Sequence, residues 1–217
     1  MVTIVPAILE ETRENLENKI FQVCAISGVE RVQVDFADGQ FVPHKTVSIG
    51  EFPTLNATFH WEAHLMVKAP ANFSDYQKAG FKTVVVHYEA FDDEELIDSA
   101  IAEIKKLGLE PALAINPETP VSALKSFSDS INQFLILSIH PGFQGHSFVP
   151  ESVGRVSELR KLVPNAIIEV DGGIKASNAP LLASAGADLL VVGSALYETE
   201  DVTANFEKIQ QAIINIK

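Results

Sequence analysis

Three stretches of the chain set side chains able to move a proton or hold a cation among apolar neighbours. Gln33-Val34-Asp35 and Glu62-Ala63-His64 each carry two such residues two positions apart, and Asp171 closes the run Ile167-Ile168-Glu169-Val170-Asp171. Residues two apart share one face of a strand, so Gln33 points with Asp35 and Glu62 with His64. Two carboxylates and an imidazole brought together have two jobs open to them. They can hold a divalent metal ion, or two carboxylates can take a proton from one face of a carbon and return it to the other. A single aspartate is more often a turn cap, and a single histidine a hydrogen-bonded core residue. Three such residues on one rim favour chemistry.

A second set of residues suits an anion. The turns His140-Pro141-Gly142-Phe143-Gln144-Gly145, Asp171-Gly172-Gly173 and Val192-Gly193-Ser194-Ala195 all follow apolar runs in the second half of the chain. Glycine lets backbone N–H groups approach a phosphate closely, and a helix beginning just beyond adds its positive end. Each turn alone is an ordinary tight turn; "VDGG" followed by "VVGSA" is more specific.

These groups need a scaffold, and the chain alternates to supply one. Strands are expected at residues 2–8, 32–35, 58–66, 83–87, 111–116, 134–138, 167–171 and 189–193. Helices are expected at 15–26, 92–107, 153–162, 180–185 and 202–216, with another opening at Thr119-Pro120. The 92–107 segment has acids at its start, Lys105 and Lys106 at its end and Gly108 as its stop, as the helix dipole and C-cap favour. Eight strands alternating with helices in 217 residues point to an α/β fold, a single-domain (β/α)8 barrel over residues 1–217. A doubly wound open sheet is the rival that periodicity leaves open. The runs "TVVV", "FLIL" and "LLVV" suit parallel strands buried on both faces. Asp35, His64, His87, Asn116, Asp171 and Gly193 all fall near C-terminal strand ends, the rim where either architecture binds ligands.

Composition narrows the partners. A formal net charge of −13 argues against a general nucleic-acid binder. Cys24 is the only cysteine, so there is neither an intrachain disulfide nor a cysteine cluster for zinc, as expected of a reducing compartment. Residues 1–9 are apolar but lack a basic stretch and a cleavage signal, and no apolar run is long enough for a bilayer. The expectation is a soluble cytoplasmic protein without nucleic-acid or membrane partners.

Taken in order, "VPAILE", "VQVDFADGQFVPHKT", "AHLMV", "VVVHYEA", "INPETP", "LSIHPGFQGHSFVP", "IIEVDGGI" and "AGADLLVVGSALY" resemble the ribulose-phosphate 3-epimerases along nearly the whole chain. The resemblance implies a (β/α)8 barrel that interconverts D-ribulose 5-phosphate and D-xylulose 5-phosphate through an enediolate. By position Asp35 and Asp171 would be the two opposed bases. Asp35, His64 and Asp171, with Gln33 at the fourth place, would surround a divalent metal such as zinc, iron, manganese or cobalt. The phosphate of a small phosphorylated sugar would lie on Gly142, Gly145, Gly172, Gly173, Gly193 and Ser194, with Met66 against the enediolate region. A homo-oligomer is also implied.

The chain departs from that pattern around the metal and the sugar. Gln33 replaces a ligand histidine, and Ala7 and Glu10 replace two serines of the opening strand. Ala37 and Leu137 replace methionines, Gln144-Gly145-His146 stands where Gly-Gly-Gln is usual, and His44 and His140 replace other polar residues. Three readings follow: a pentulose-phosphate epimerase with an altered metal site, in which Glu10, Gln33 or a nearby histidine compensates; an epimerase or isomerase acting on another phosphosugar; or a phosphosugar-binding module without activity. Retention of both aspartates favours the first, because two close carboxylates raise each other's pKa and cost stability unless a cation or a shared proton relieves them.

Overall fold

The computed structural model describes residues 2–140 and 147–214. Eight strands, β1 (Thr3–Ile8), β2 (Arg31–Ala37), β3 (His60–Met66), β4 (Thr83–His87), β5 (Glu110–Ile115), β6 (Gln133–Leu137), β7 (Ile167–Asp171) and β8 (Leu189–Val192), pair in chain order into a closed barrel. Every pairing is parallel, and β1 returns to β8 with Thr3 opposite Leu189. The barrel, not the open sheet, is the outcome. Around it run α1 (Arg13–Cys24), α2 (Phe73–Ala79), α3 (Glu94–Lys106), α4 (Ser152–Leu162), α5 (Ala179–Ala185) and α6 (Val202–Ile214).

Local chemistry explains the helices. In α3 the Asp93 side chain accepts from the Leu96 N–H, and Ile97, Ala100, Ile101 and Ile104 recur at helical spacing on the buried face. The segment after Pro120 is a 3-10 helix, Val121–Phe127, where an α-helix was expected. Its buried residues Val121, Leu124 and Phe127 recur every third position, the period of a 3-10 coil. Pro120 is its cap and not its first helical residue. The sequence pattern did not disclose α2: seven residues burying Phe73 and Tyr76 and closed by Gly80 at φ 106° are too short to establish a period.

The strands bury both faces. Outward residues such as Val32, Val84, Phe134 and Ile168 join one continuous core against the helices, while Val85, Ala112, Leu135 and Leu137, and Val5, Ala7, Leu189 and Val191, form two smaller clusters inside the barrel. The remaining interior is polar. Arg31 Nε donates to Glu62 Oε2 at 2.7 Å, and an Arg31 terminal nitrogen donates to Gln133 Oε1 at 2.7 Å. Gln133 Nε2 donates to Glu169 Oε2 at 2.8 Å and reaches Glu62 Oε2 at 3.4 Å. Glu62 and Glu169 are fully buried. Burial, reinforced by the Glu62 charge, holds Glu169 well above the usual carboxylate range. A carboxyl that resists ionisation beside the Arg31–Glu62 ion pair keeps this layer near charge balance.

Two variants test this inner layer by urea unfolding. Arg31→Met strands a buried carboxylate and is expected to cost about 3–5 kcal/mol. Glu169→Gln keeps the shape of a neutral acid and is expected to cost under about 1.5 kcal/mol. Similar losses for both would show that Arg31 does not balance this layer.

Candidate active site

The upper end of the barrel interior gathers the residues singled out from the sequence. β2 and β3 run in register with Asp35 opposite His64 and Gln33 opposite Glu62, so the two-residue repeat turns Gln33, Asp35 and His64 inward together. Asp171 ends β7, two strands beyond β1 around the closed ring. His64 Nδ1 lies 2.9 Å from Asp35 Oδ1 and 3.3 Å from Asp171 Oδ2. Gln33 Nε2 donates to the same two oxygens, at 2.7 Å and 2.8 Å. Gln33 and His64 are fully buried, while the Asp35 and Asp171 side chains keep 11% and 14% of their surface, enough to meet a ligand from the mouth.

Burial opposes a charge on His64, but its hydrogen bonds with Asp171 and Asp35 outweigh that and push it up to about 10. Burial raises the Asp35 carboxyl; the His64 hydrogen bond opposes the rise and the Asp171 charge adds to it. His64 Nε2 lies 2.8 Å from His87 Nε2. Burial lowers the pKa of His87 against the pull of Glu89, so a charged His64 donates and a neutral His87 accepts. His87 Nδ1 then faces Glu89 Oε2 at 3.4 Å. Glu89 Oε1 accepts from the Asn116 N–H at 2.8 Å and from the Thr119 hydroxyl. The line of polar groups therefore runs from the two acids through two imidazoles to a carboxylate anchored on the loop after β5. The Phe41 ring covers His87 at a centroid distance of 4.8 Å.

Asp35, His64 and Asp171 form a group whose ligand atoms lie within 4.8 Å of one another. Their donor types suit a divalent ion. Gln33 does not suit it as placed, because its amide nitrogen is a donor with no free lone pair and sits 3.3 Å from His64 Nδ1 as well as on both carboxylates. Gln33 Oε1 is buried without a partner, a loss of about 1–3 kcal/mol offset by two charge-assisted bonds of about 1.5–3 kcal/mol each. Of the other candidate compensators, Glu10 pairs with Lys19 at 2.5 Å and His140 lies 2.6 Å from Glu118, while His44 Nδ1 faces Glu11 at 3.5 Å and its Nε2 is buried without a partner.

The glycine turns lie on the same rim. Gly172 and Gly173 have φ of 114° and 64°. A Cβ on Gly172 would stand 2.6 Å from Ile139 Cγ1, and one on Gly173 would stand 3.1 Å from the Phe148 backbone. The buried Ser138 hydroxyl donates to the Gly172 carbonyl at 2.6 Å. Gly193 precedes the short 3-10 turn Ser194–Tyr197, whose Tyr197 hydroxyl donates to the Ala7 carbonyl at 3.2 Å. Met66 ends β3, inward with His64 by strand alternation. Gly142 and Gly145 lie outside the described residues.

Asp38 holds the turn after β2, accepting from the Gln40 and Phe41 N–H groups at 2.8 Å and 2.9 Å and from Lys68 N–H at 2.9 Å. Sequence reasoning missed Arg155, which reaches from α4 to the carbonyls of Asn116, Pro117 and Thr119 at 3.0, 2.8 and 2.8 Å and fixes the loop carrying the Glu89 contacts. Nothing in the spacing around a helical arginine announces such a clamp.

Known proteins resemble this chain along most of its length. Residues 3–197 match the ribulose-phosphate 3 epimerase family. The chain is 34% identical over 207 residues to the chloroplastic ribulose-5-phosphate-3-epimerase of Arabidopsis thaliana, covering 92% of this chain and 73% of that one. It is 32% identical over 209 residues to the ribulose-phosphate 3-epimerase of Bacillus subtilis strain 168, covering 93% and 94%. Among solved structures, a 3-hexulose-6-phosphate synthase superposes with a TM-score of 0.73 at 17% identity over 98% of this chain and all of that one, a likeness of fold.

The packing around the β7 turn makes Gly172→Ala a direct test of the rim. The added methyl meets Ile139 and the positive φ disfavours it, so a loss of about 1–3 kcal/mol is expected by thermal or urea unfolding. An unchanged midpoint would show that the turn is not built around a missing side chain.

Proposed function

The chain belongs to the ribulose-phosphate 3 epimerase family, and from that premise we propose that it interconverts D-ribulose 5-phosphate and D-xylulose 5-phosphate by inverting C3. The observation that carries this reading is the pair of carboxylates from β2 and β7, held on common donors at the barrel mouth. One aspartate, ionised, removes the C3 proton and leaves an enediolate; the other, protonated, gives its proton to the opposite face, so that the two exchange acid and base forms in each turnover. The reverse reaction exchanges their roles. A single base tends to return the proton to the face it came from, so inversion needs two.

The proton next to a carbonyl is weakly acidic, and stabilising the charge that builds on oxygen lowers the barrier. A charged His64 within 3.3 Å of both acids supplies positive potential in a water-poor site. A divalent ion on Asp35, His64 and Asp171 would supply the same service as a Lewis acid. Because Gln33 as placed does not suit such an ion, no step here runs through one. The Gly172-Gly173 and Gly193-Ser194 turns, together with the glycines at 142 and 145, are assigned to the sugar phosphate. The two turns follow β7 and β8, where barrels of this class bind phosphate. A grip distant from C3 fixes orientation and contributes binding energy away from the reacting carbon.

Among the described residues no helix is long and apolar enough to cross a membrane. With Cys24 as the one cysteine of the chain, we assign the protein to the cytoplasm.

Ribulose 5-phosphate in deuterated water is expected to yield xylulose 5-phosphate labelled at C3, read by NMR. Asp35→Asn and Asp171→Asn are each expected to lower the rate at least about 100-fold while the circular dichroism spectrum stays unchanged. Near-normal turnover in either variant overturns the two-base assignment. Phosphosugar binding without label in the wild type favours the binding-module reading.

A further inference from the structure

Gln33 occupies the point at which the three converging ligand atoms would meet a cation. Its amide nitrogen lies 2.7 Å from Asp35 Oδ1, 2.8 Å from Asp171 Oδ2 and 3.3 Å from His64 Nδ1. Two amide hydrogens serve two carboxylates, and no lone pair remains for a metal. His64 Nδ1 closes the figure, 2.9 Å and 3.3 Å from the same two oxygens. One oxygen of each aspartate, Asp35 Oδ1 and Asp171 Oδ2, thus faces two nitrogens, the satisfaction a cation would otherwise provide.

We propose that Gln33 is a built-in substitute for a divalent ion. Its carboxamide bridges Asp35 and Asp171, keeps such an ion out of the Asp35–His64–Asp171 triad, and holds the two acids in place for epimerisation without a metal. The last clause rests on the epimerase reading; the exclusion of the ion does not.

The barrel uses the same device one layer below. There Gln133 Nε2 spans Glu169 and Glu62 at 2.8 Å and 3.4 Å, from β6 to its partners on β7 and β3. The two layers differ in the amide oxygen. Gln133 Oε1 accepts from Arg31 at 2.7 Å, whereas Gln33 Oε1 is buried with no partner. Turning the Gln33 amide over to offer Oε1 to an ion would remove both donor contacts. It would also move Nε2 to a spot where Oε1 finds no partner. An ion must therefore displace a satisfied donor instead of entering an open position, and its affinity falls accordingly.

The test uses the full chain purified without chelator. Metal content is measured by mass spectrometry, and binding of zinc, manganese and cobalt by calorimetry, for wild type, Gln33→His and Gln33→Glu. Gln33→His restores an imidazole ligand. Gln33→Glu keeps the shape but replaces the donor with an oxygen, gathering three acids that call for a cation. Wild type is expected to carry far less than one ion per chain, with C3 labelling unaffected by dialysis against chelator. Either variant is expected to bind at least about tenfold more tightly and to gain an unfolding midpoint that rises with added metal. A stoichiometric ion in the wild type, or equal affinity in wild type and both variants, overturns the proposal. Loss of labelling on chelation with recovery on adding metal also overturns it. Absence of label in every state would instead count against the epimerase reading, and the metal-content comparison would still decide the exclusion of the ion.

Discussion

Two carboxylates sharing a water-poor pocket repel each other, and the upper half of this barrel is arranged around answering that repulsion. Asp35 and Asp171 come from strands separated by two others in the ring, yet both meet Gln33 Nε2 and His64 Nδ1 within 3.3 Å. Without those donors each acid would lose hydration with nothing to replace it, a penalty of several kcal/mol per charge. With them, both acids are oriented and still partly open to the mouth. Catalytic carboxylates need that combination: held firmly enough to keep geometry and free enough to exchange a proton.

The polar interior has two tiers with different balances. In the lower tier the positive group is the Arg31 guanidinium, paired with Glu62, and burial together with the Glu62 charge raises the Glu169 carboxyl well above the usual range. In the upper tier the positive group is His64, whose charge is set by the acids it serves and whose far side rests on His87. The lower tier is closed and suits a structural role. The upper tier is built from groups that can change protonation, and it faces the ligand side of the fold.

The supports of the site come from outside it. Glu89 carries the polar line to the loop after β5, and Arg155 holds that loop by three carbonyls. Ser138 braces the Gly172 carbonyl from β6's end, and Asp38 ties the turn after β2 to Lys68 after β3. Each brace joins loops after neighbouring or nearby strands and so restricts the loops that surround the acids.

Much of this was legible in the sequence. The eight strands, the inward pairing of Gln33 with Asp35 and the placing of Asp171 at a strand end all follow from a period of two and from β-branched runs. β4 and β7 run from 83 to 87 and from 167 to 171 as expected. Legibility ended where the signal is short or non-local. α2 is too brief to show a period, and the Val121–Phe127 coil has a period of three that resembles a helical one over seven residues. In the site, the family resemblance put Gln33 at a ligand position, but nothing in the sequence told which of its two amide atoms faces the acids.

Alternation of side chains along each strand was determined by the sequence alone, because it depends only on bonded neighbours. Closure of the ring was decided by tertiary structure, since strand periodicity is the same in an open sheet and a barrel. Closure brings Asp171 across to Asp35, and the position of Asp171 then decides that Gln33 meets two acids and acts as a donor between them. That role depends on contacts 138 residues apart in the chain, which no local pattern records.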